Sequence, residues 1–128
     1  MNQTKTLSEI RKELGISRKA IQGYEKHELI SPCGKDKYGH LIYGDKTVER
    51  IIRIRFYQKL GFSVKEIKEL SYQDDGQLKM ALDDKKEETE KMILTLQRRY
   101  YLLEYLICET KMPDIGFMYE EIKEEDQQ

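Results

Sequence analysis

The residues whose types and spacing best suit chemistry form a short basic set between positions 17 and 22. Ser17 is followed directly by Arg18 and Lys19, and Gln22 comes about one helical turn later. If a helix begins here, Ser17 caps it, and the polar side chains lie near backbone amides that favour anions. Arginine and lysine bind phosphate oxygens, and side chains of this kind also reach base edges. The pattern therefore indicates contact with a nucleic acid.

Other kinds of site find little support in the sequence. No nucleophile–base pair, paired carboxylate site or phosphate-binding loop can be assembled, so we expect no enzyme, no catalytic residues and no cofactor. Cys33 and Cys108 lie far apart without CxxC or HxxxH spacing, which predicts no metal site within one chain. Reduced, partly buried thiols are expected. A redox or metal role completed by a second chain stays open as an alternative.

Two short helices separated by a glycine would position the basic set. Each helix has an apolar inward face: Leu7, Ile10 and Leu14 in the first, and Ala20, Ile21 and Tyr24 in the second. Gly15 is expected to end the first helix, and Ser17 to begin the second. This is the outline of a helix-turn-helix, for which a plain helical hairpin is the alternative.

The segment that follows predicts a two-stranded wing. It contains one proline and two glycines: Pro32, Gly34 and Gly39. Because proline cannot continue a helix and glycine permits tight turns, two short antiparallel strands are the simplest outcome. The strands would be joined by a tip of residues 35–37, from which Lys35 and Lys37 reach phosphates. A solvated loop of mixed charge is the alternative for this tip.

A third helix is predicted from residue 45 onward. Asp45 or Thr47 is expected to cap it. Its apolar face advances in steps of three residues: Val48, Ile51, Ile54 and Tyr57. Its exposed side carries three arginines: Arg50, Arg53 and Arg55. These arginines either approach a nucleic-acid backbone or form a solvated face paired with Glu49.

A fourth helix follows a glycine and has a specific start signal. Gly61 ends the preceding helix, and Ser63 and Glu66 have the S-x-x-E spacing of a capping box. Phe62 lies at the position that packs onto Ile67 as a hydrophobic staple. The sequence therefore predicts a helix pair across residues 45–70.

Charge is distributed unevenly along the 128 residues, although the net charge is only −1. Residues 1–70 contain 15 Lys+Arg and 9 Asp+Glu, a balance of +6, whereas residues 71–128 contain 8 and 15, a balance of −7. A basic front half fits a polyanion, and an acidic back half would point away from it. With no apolar run near 18 residues and no secretory signal, we expect a cytoplasmic protein without a membrane span.

Four pieces of the chain resemble, in order and spacing, the amino-terminal portion of the mercury-resistance regulator (MerR) family of bacterial transcription factors. They are LSEIRKELGIS (first helix and turn), IQGYEKHELISP (recognition helix), GHLIY (wing) and YQKLGFSVKEIKEL (second helix pair). The LGFS-x-x-EI run is the most family-specific of them. The resemblance covers roughly residues 5–70 and implies a winged helix-turn-helix that binds DNA.

Some positions depart from the family pattern where DNA contacts are expected. The family's usual arginine and two aromatic residues are replaced in the recognition helix by Gln22, Gly23 and Tyr24. In the wing, His40 and Leu41 stand where tyrosine and arginine are usual. We therefore expect DNA contacts to be redistributed onto nearby basic residues: Arg18, Lys19, Lys35 and Lys37.

A long helix is predicted after the basic half, because residues 77–108 contain neither glycine nor proline. Its 32 residues would extend about 48 Å at 1.5 Å per residue. Apolar positions alternate at spacings of four and three, which is the pattern of a coiled-coil seam. The family resemblance implies antiparallel pairing of two subunits through this helix. Packing back onto the same chain is the alternative.

The last segment is too short for the separate effector domain of larger family members. Its apolar residues share one helical face: Ile115, Met118, Tyr119 and Ile122. We expect a short helix that packs on the partner's DNA-binding half or coiled coil. Only Cys108 lies where metal-sensing members carry cysteines, which disfavours metal sensing. An unknown small-molecule effector is compatible with five aromatic residues that form either a pocket or a core: Tyr100, Tyr101, Tyr105, Phe117 and Tyr119.

These patterns predict a mainly α fold: a winged helix-turn-helix DNA-binding domain (residues 1–75), a long coiled-coil dimerisation helix (76–110) and a short C-terminal tail (111–128). The expected DNA-binding residues are Ser17, Arg18, Lys19, Gln22, Tyr24, Lys35, Lys37, His40, Tyr43, Arg50 and Arg53. The expected dimer interface is Leu82, Thr89, Ile93, Leu96, Tyr100, Leu103 and Ile107.

We therefore expect a homodimeric, sequence-specific transcription regulator of double-stranded promoter DNA. The resemblance implies that it bends and untwists the promoter so that RNA polymerase can use both promoter elements. The alternative is an effector-free architectural or excisionase-like winged-helix protein that bends DNA without regulating transcription directly.

Overall fold

The first two helices form where local side-chain caps fix their ends. In a computed structural model of the chain, which describes residues 4–125, α1 spans Leu7–Leu14 and α2 spans Arg18–Lys26. Thr6 and Glu9 form a capping box before α1: the Glu9 N–H donates to the Thr6 hydroxyl at 3.3 Å, and the Thr6 N–H donates to Glu9 Oε1 at 3.2 Å. The sequence patterns predicted α1 but missed this cap.

The turn between α1 and α2 depends on Gly15 and Ser17, as predicted. Gly15 has a φ of 65°, a left-handed conformation that glycine adopts without strain, and its N–H donates to the Arg11 carbonyl at 2.9 Å. Ser17 Oγ accepts the N–H of Ala20 at 3.1 Å and so caps α2. Both devices are local, so the sequence pattern located the turn correctly.

Three short strands form one antiparallel sheet beside the helix-turn-helix. They are β1 (Lys5–Thr6), β2 (Gly34–Lys35) and β3 (Leu41–Tyr43), in the order β1-β3-β2. Lys5 pairs with Tyr43, and Gly34 pairs with Ile42. The β2–β3 hairpin confirms the predicted wing, but its turn spans residues 36–40, and Lys35 lies in β2 and not in the tip as expected. β1 was not predicted, because two residues are too few to show an alternating pattern.

The second helix pair consists of α3 (Asp45–Lys59) and α4 (Val64–Leu70). The expectation that Asp45 or Thr47 caps α3 is wrong. Gly44 is the N-cap residue and no side-chain hydrogen bond caps the helix, because the helix already begins at Asp45. A helix that starts one residue earlier places both candidate side chains inside its first turn.

The predicted start of α4 is confirmed. The Glu66 N–H donates to Ser63 Oγ at 3.1 Å, and the Ser63 N–H donates to Glu66 Oε1 at 3.0 Å. The bond from the Ser63 backbone holds the pKa of the Glu66 carboxyl below its ordinary value. Phe62 and Ile67 are both buried in the same core, as expected for the staple.

The core lies where α1, α2, α3, α4 and β3 meet. Its buried residues are Ile10, Ile16, Ile21, Tyr24, Ile30, Tyr43, Ile51, Ile54, Phe62 and Ile67. Ile10, Ile21 and Ile51 are fully buried, one from each of the first three helices. Burying such side chains contributes about 1.5–3 kcal/mol each. The core therefore fixes the position of α2 relative to the wing.

A long helix and a short terminal helix follow. They are α5 (Asp75–Glu109), with 35 residues, and α6 (Ile115–Glu125), and both were predicted. The chain divides into two units, one ending at Lys85 and the other beginning at Lys86. No helix within residues 4–125 combines the length and apolarity needed to cross a membrane.

The start of α5 belongs to the first unit and is held there by Lys85. Its ammonium group lies 3.4 Å from Glu66 Oε2 and 4.9 Å from the centre of the Phe62 ring. The Lys85 side chain is 16% exposed, so its charge is shielded from water more than that of a surface lysine. An ion pair and a cation–π contact therefore attach α5 to the turn that precedes α4.

In the second unit, α6 packs against α5. The Tyr105 and Phe117 rings stack at 5.6 Å with an interplanar angle of 17°. Arg98 donates from Nε to the Glu121 carboxylate at 3.0 Å. Two of the five aromatic residues considered for a ligand pocket therefore pack on each other. The other three, Tyr100, Tyr101 and Tyr119, are 60%, 64% and 60% exposed.

Candidate nucleic-acid interface

The outward face of α2 presents the basic set identified in the sequence. Arg18, Lys19 and Gln22 are all exposed, whereas Ile21, on the opposite face, is fully buried. Ser17 caps the Ala20 N–H, and the other free N–H groups of the first turn add partial positive charge at the helix end that carries the two cations. This end of α2 is a polar, positively charged surface on a rigid support.

Two predicted contact residues are instead part of the core. Tyr24 and Tyr43 are each 1% exposed, which corrects the expectation that their rings contact DNA. The Tyr24 hydroxyl donates to Gln58 Oε1 at 2.7 Å, and the Tyr43 hydroxyl donates to the Glu25 carboxylate. Tertiary packing decides their role, because aromatic residues at these positions complete the apolar faces of α2 and β3.

The Tyr43–Glu25 hydrogen bond also connects the wing to α2. Burial raises the pKa of the Tyr43 hydroxyl well above its ordinary value, and the hydrogen bond and negative charge of Glu25 raise it further. The hydroxyl therefore stays protonated and keeps donating at neutral pH. This bond couples the position of β3 to the position of the basic helix.

The wing presents the other predicted contacts in that region to solvent. Lys35, Lys37 and His40 are exposed. Tyr38 is exposed as well, at 72%, and lies between the two β-strands at the tip of the wing. The sequence patterns did not single out Tyr38. A tyrosine in a turn that is otherwise made of small and charged residues is the signal that identifies it.

The two arginines predicted on α3 border a concave surface. Arg50 and Arg53 are exposed and line a cavity of about 500 Å³ together with Lys68. Ile54 and Ile67, both in the core, form part of its wall. These arginines are therefore close to one another but belong to a different surface from the wing tip.

The cysteines and other potential metal ligands form no metal-binding group in the part of the chain that the structure describes. Within residues 4–125, no three His, Cys, Asp or Glu side chains lie close enough to share a metal ion. Cys33 and Cys108 are free and exposed, so the expectation of partly buried thiols is wrong.

All residues of the predicted dimer seam on the long helix are exposed to solvent in the single chain. Leu96 and Leu103 are each 53% exposed, and Ile107 is 72% exposed. The remaining seam residues are also exposed: Leu82, Thr89, Ile93 and Tyr100. No residue of α5 is fully buried within this chain, so the apolar seam is available to another helix.

Comparison with known proteins identifies the family. Residues 5–74 match the model of the MerR HTH family regulatory proteins. The chain belongs to the MerR family. This confirms the resemblance seen in the sequence, and the matched segment contains α1 to α4 and the whole wing.

Curated relatives of this MerR-family chain are transcription regulators. It is 33% identical over 101 residues to a probable heavy metal-dependent transcriptional regulator of Haemophilus influenzae, covering 79% of this chain and 78% of that protein. It is 31% identical over 103 residues to the HTH-type transcriptional activator mta of Bacillus subtilis, covering 75% of this chain. The match spans only 39% of that activator's length.

Solved structures place the MerR-family chain in the same fold. MtaN, the N-terminus of the Bacillus subtilis multidrug transporter activator, has a TM-score of 0.66 at 24% identity, covering 80% of this chain and 97% of MtaN. HiNmlR, a MerR family regulator lacking the sensor domain and bound to promoter DNA, has a TM-score of 0.59 at 26% identity. That match covers 83% of this chain and 89% of HiNmlR.

Proposed function

We propose that this chain is a sequence-specific DNA-binding transcription regulator that acts as a homodimer on double-stranded promoter DNA, and not an enzyme. The observation that carries the proposal is the construction of α2. Its inward face is anchored by the fully buried Ile21, and its first turn exposes Arg18 and Lys19. Membership of the MerR family and the promoter-bound state of the similar HiNmlR support this assignment.

In the proposed complex, the first turn of α2 enters the major groove. Gln22 is placed for base edges, whereas Arg18 and Lys19 neutralise phosphates. Lys35 and Lys37 of the wing contact the neighbouring backbone. The balance of +6 over residues 1–70 favours this half of the chain for the duplex.

The dimer is proposed to form by antiparallel pairing of two α5 helices through the exposed seam. Two copies of α2 would then be held at a fixed separation, so the operator should contain two half-sites related by a dyad. By family resemblance, the bound dimer bends and untwists the promoter so that RNA polymerase uses both promoter elements.

The proposal is tested by selecting duplexes from a random-sequence pool with the purified chain and then footprinting the selected duplex. We expect one pseudo-palindromic site whose affinity falls steeply with salt. Arg18→Ala should weaken binding about tenfold or more, whereas the matched control Lys111→Ala, which removes an exposed charge from the segment after α5, should not.

Two other outcomes would contradict the proposal in different ways. Binding without a preferred site, at similar affinity for all duplexes, would favour an architectural DNA-bending protein. No binding to any duplex at low salt would exclude both a regulator and an architectural protein.

A further inference from the structure

The tip of the wing is a fixed turn. The Asp36 carboxylate accepts the backbone N–H groups of Tyr38 and His40, both at 2.9 Å. The Asp36 N–H donates to the His40 carbonyl at 2.8 Å, and the Gly39 N–H donates to the Asp36 carbonyl at 3.0 Å. Gly39 has a φ of 82°, which a residue with a side chain rarely adopts. Four hydrogen bonds and one glycine therefore hold residues 36–40 in one conformation.

These bonds also direct the one acidic group of the tip into the turn. The Asp36 side chain is 25% exposed, against 69% for His40, and its carboxylate lies 3.5 Å from His40 Nδ1. Lys35 and Lys37 are exposed. The tip is therefore not a loop of evenly mixed charge. The Asp36 carboxylate is hydrogen-bonded to backbone N–H groups of the turn, and the outer surface is basic and aromatic.

Tyr38 is the residue most exposed to solvent among the large apolar and aromatic residues of the wing. Its side chain is 72% exposed, and the Lys37 ammonium lies 5.1 Å from the centre of its ring. The ring of His40 is 6.4 Å away and tilted by 44°, so it does not cover Tyr38. A rigid turn thus presents a phenol ring beside the Lys37 ammonium group to solvent. This combination matches the sugar–phosphate backbone, which offers an apolar deoxyribose face next to anionic oxygens.

The wing tip is positioned relative to α2. β3, which forms one side of the wing, ends at Tyr43, whose ring is in the core and whose hydroxyl is bonded to Glu25 of α2. A duplex that receives the first turn of α2 therefore meets the wing tip at a position set by the fold and not by loop motion.

We propose that Tyr38 is a DNA-contact residue, whose ring packs on a deoxyribose and whose hydroxyl donates a hydrogen bond to a phosphate oxygen of the duplex bound by α2. This proposal rests on the proposed function and deepens it. The contact fixes the register of the wing on the backbone and adds affinity without selecting a base sequence.

The test compares dissociation constants for the duplex selected by the unmodified chain, measured across a salt series. Tyr38→Ala should raise Kd about tenfold, the equivalent of about 1.4 kcal/mol, and Tyr38→Phe, which loses only the hydroxyl, about threefold. Tyr101→Ala is the matched control, since Tyr101 is a tyrosine that is 64% exposed and lies in the second unit, outside the expected DNA-binding residues and the expected dimer seam. It should leave Kd unchanged.

The salt series distinguishes the contribution of Tyr38 to DNA affinity from that of the neighbouring lysines. Because Tyr38 carries no charge, Tyr38→Ala should leave the slope of log K against log salt unchanged, whereas Lys37→Ala should reduce the slope by about 0.9. A thermal melt of each variant should match that of the unmodified chain, since the substituted side chains are exposed.

The remaining outcomes distinguish failure of the proposed function from failure of the Tyr38 contact alone. If the unmodified chain binds no duplex, both the proposed function and the proposed Tyr38 contact are refuted. If the unmodified chain binds but Tyr38→Ala binds equally well, or weakens binding no more than Tyr101→Ala does, only the Tyr38 contact is refuted. If Tyr38→Ala both weakens binding and reduces the slope of log K against log salt, the lost contact is that of Lys37, and the proposed Tyr38 contact is again refuted.

Discussion

Replacing one leucine of the exposed seam with glutamate should separate the proposed dimer. Leu96 is 53% exposed in the single chain, so about half of its side chain is available to a partner helix. Full burial of a leucine is worth about 1.5–3 kcal/mol, so the exposed half contributes about 1 kcal/mol per copy and about 2 kcal/mol per dimer. A carboxylate in the seam adds a desolvation cost of at least 1–2 kcal/mol.

The sum, about 3–4 kcal/mol, corresponds to a dimer dissociation constant raised by a few hundredfold. Sedimentation equilibrium or light scattering at micromolar concentration measures this directly. The matched control is Leu94→Glu, because Leu94 is a leucine of the same helix, 63% exposed, that lies outside the seam. Circular dichroism of both variants tests whether α5 remains helical.

Three results would refute this reasoning. The unmodified chain could be a stable monomer at micromolar concentration, in which case no dimer forms through the seam. Leu96→Glu could leave the dimer intact, which would place the interface elsewhere. Equal weakening by Leu96→Glu and Leu94→Glu would mean that the helix does not pair through one apolar face.

Three further predictions concern the folded first unit. Tyr24→Phe removes the hydrogen bond to Gln58 and should lower the free energy of unfolding in urea by about 1 kcal/mol; an unchanged value would mean the bond contributes nothing. Because the pKa of Tyr43 is raised in the folded chain, the protonated hydroxyl stabilises the fold fully below the ordinary tyrosine pKa of about 10, and this stabilisation is lost as the pH rises above that value. The free energy of unfolding of Tyr43→Phe should therefore fall less between about pH 9 and pH 11 than that of the unmodified chain. A steeper loss in the variant would contradict this. Gly23→Ala should stabilise α2 by about 0.5–1 kcal/mol, because a Cβ there meets no atom within 4 Å; chemical denaturation would disprove it by showing a less stable variant.

Much of the fold follows from interactions between residues that are close in sequence. The cap at Ser17, the left-handed turn at Gly15 and the capping box of Ser63 and Glu66 each join residues no more than four positions apart. Such interactions depend on residue type and spacing alone, so the sequence located these helix starts and turns. The same holds for the exposed polar face of α2, because helical periodicity sorts polar from apolar side chains.

Other features depend on which segments meet in space. The family resemblance placed Tyr24 and Tyr43 among the DNA contacts, although helical periodicity also put Tyr24 on the inward face of its helix. In the folded chain both rings are buried. Their hydroxyls donate hydrogen bonds to residues distant in sequence, 34 positions away for Tyr24 and 18 positions away for Tyr43. β1 likewise exists only because Lys5 meets Tyr43 across the sheet.

The sequence by itself thus determined the order of the helices and the wing, the family and the basic face of the recognition helix. Only the tertiary structure decided which aromatic residues face the solvent. It placed Tyr43 in the core and left Tyr38 exposed at the tip of the wing, since the burial of a residue in a short strand or turn depends on contacts distant in sequence that no local pattern encodes.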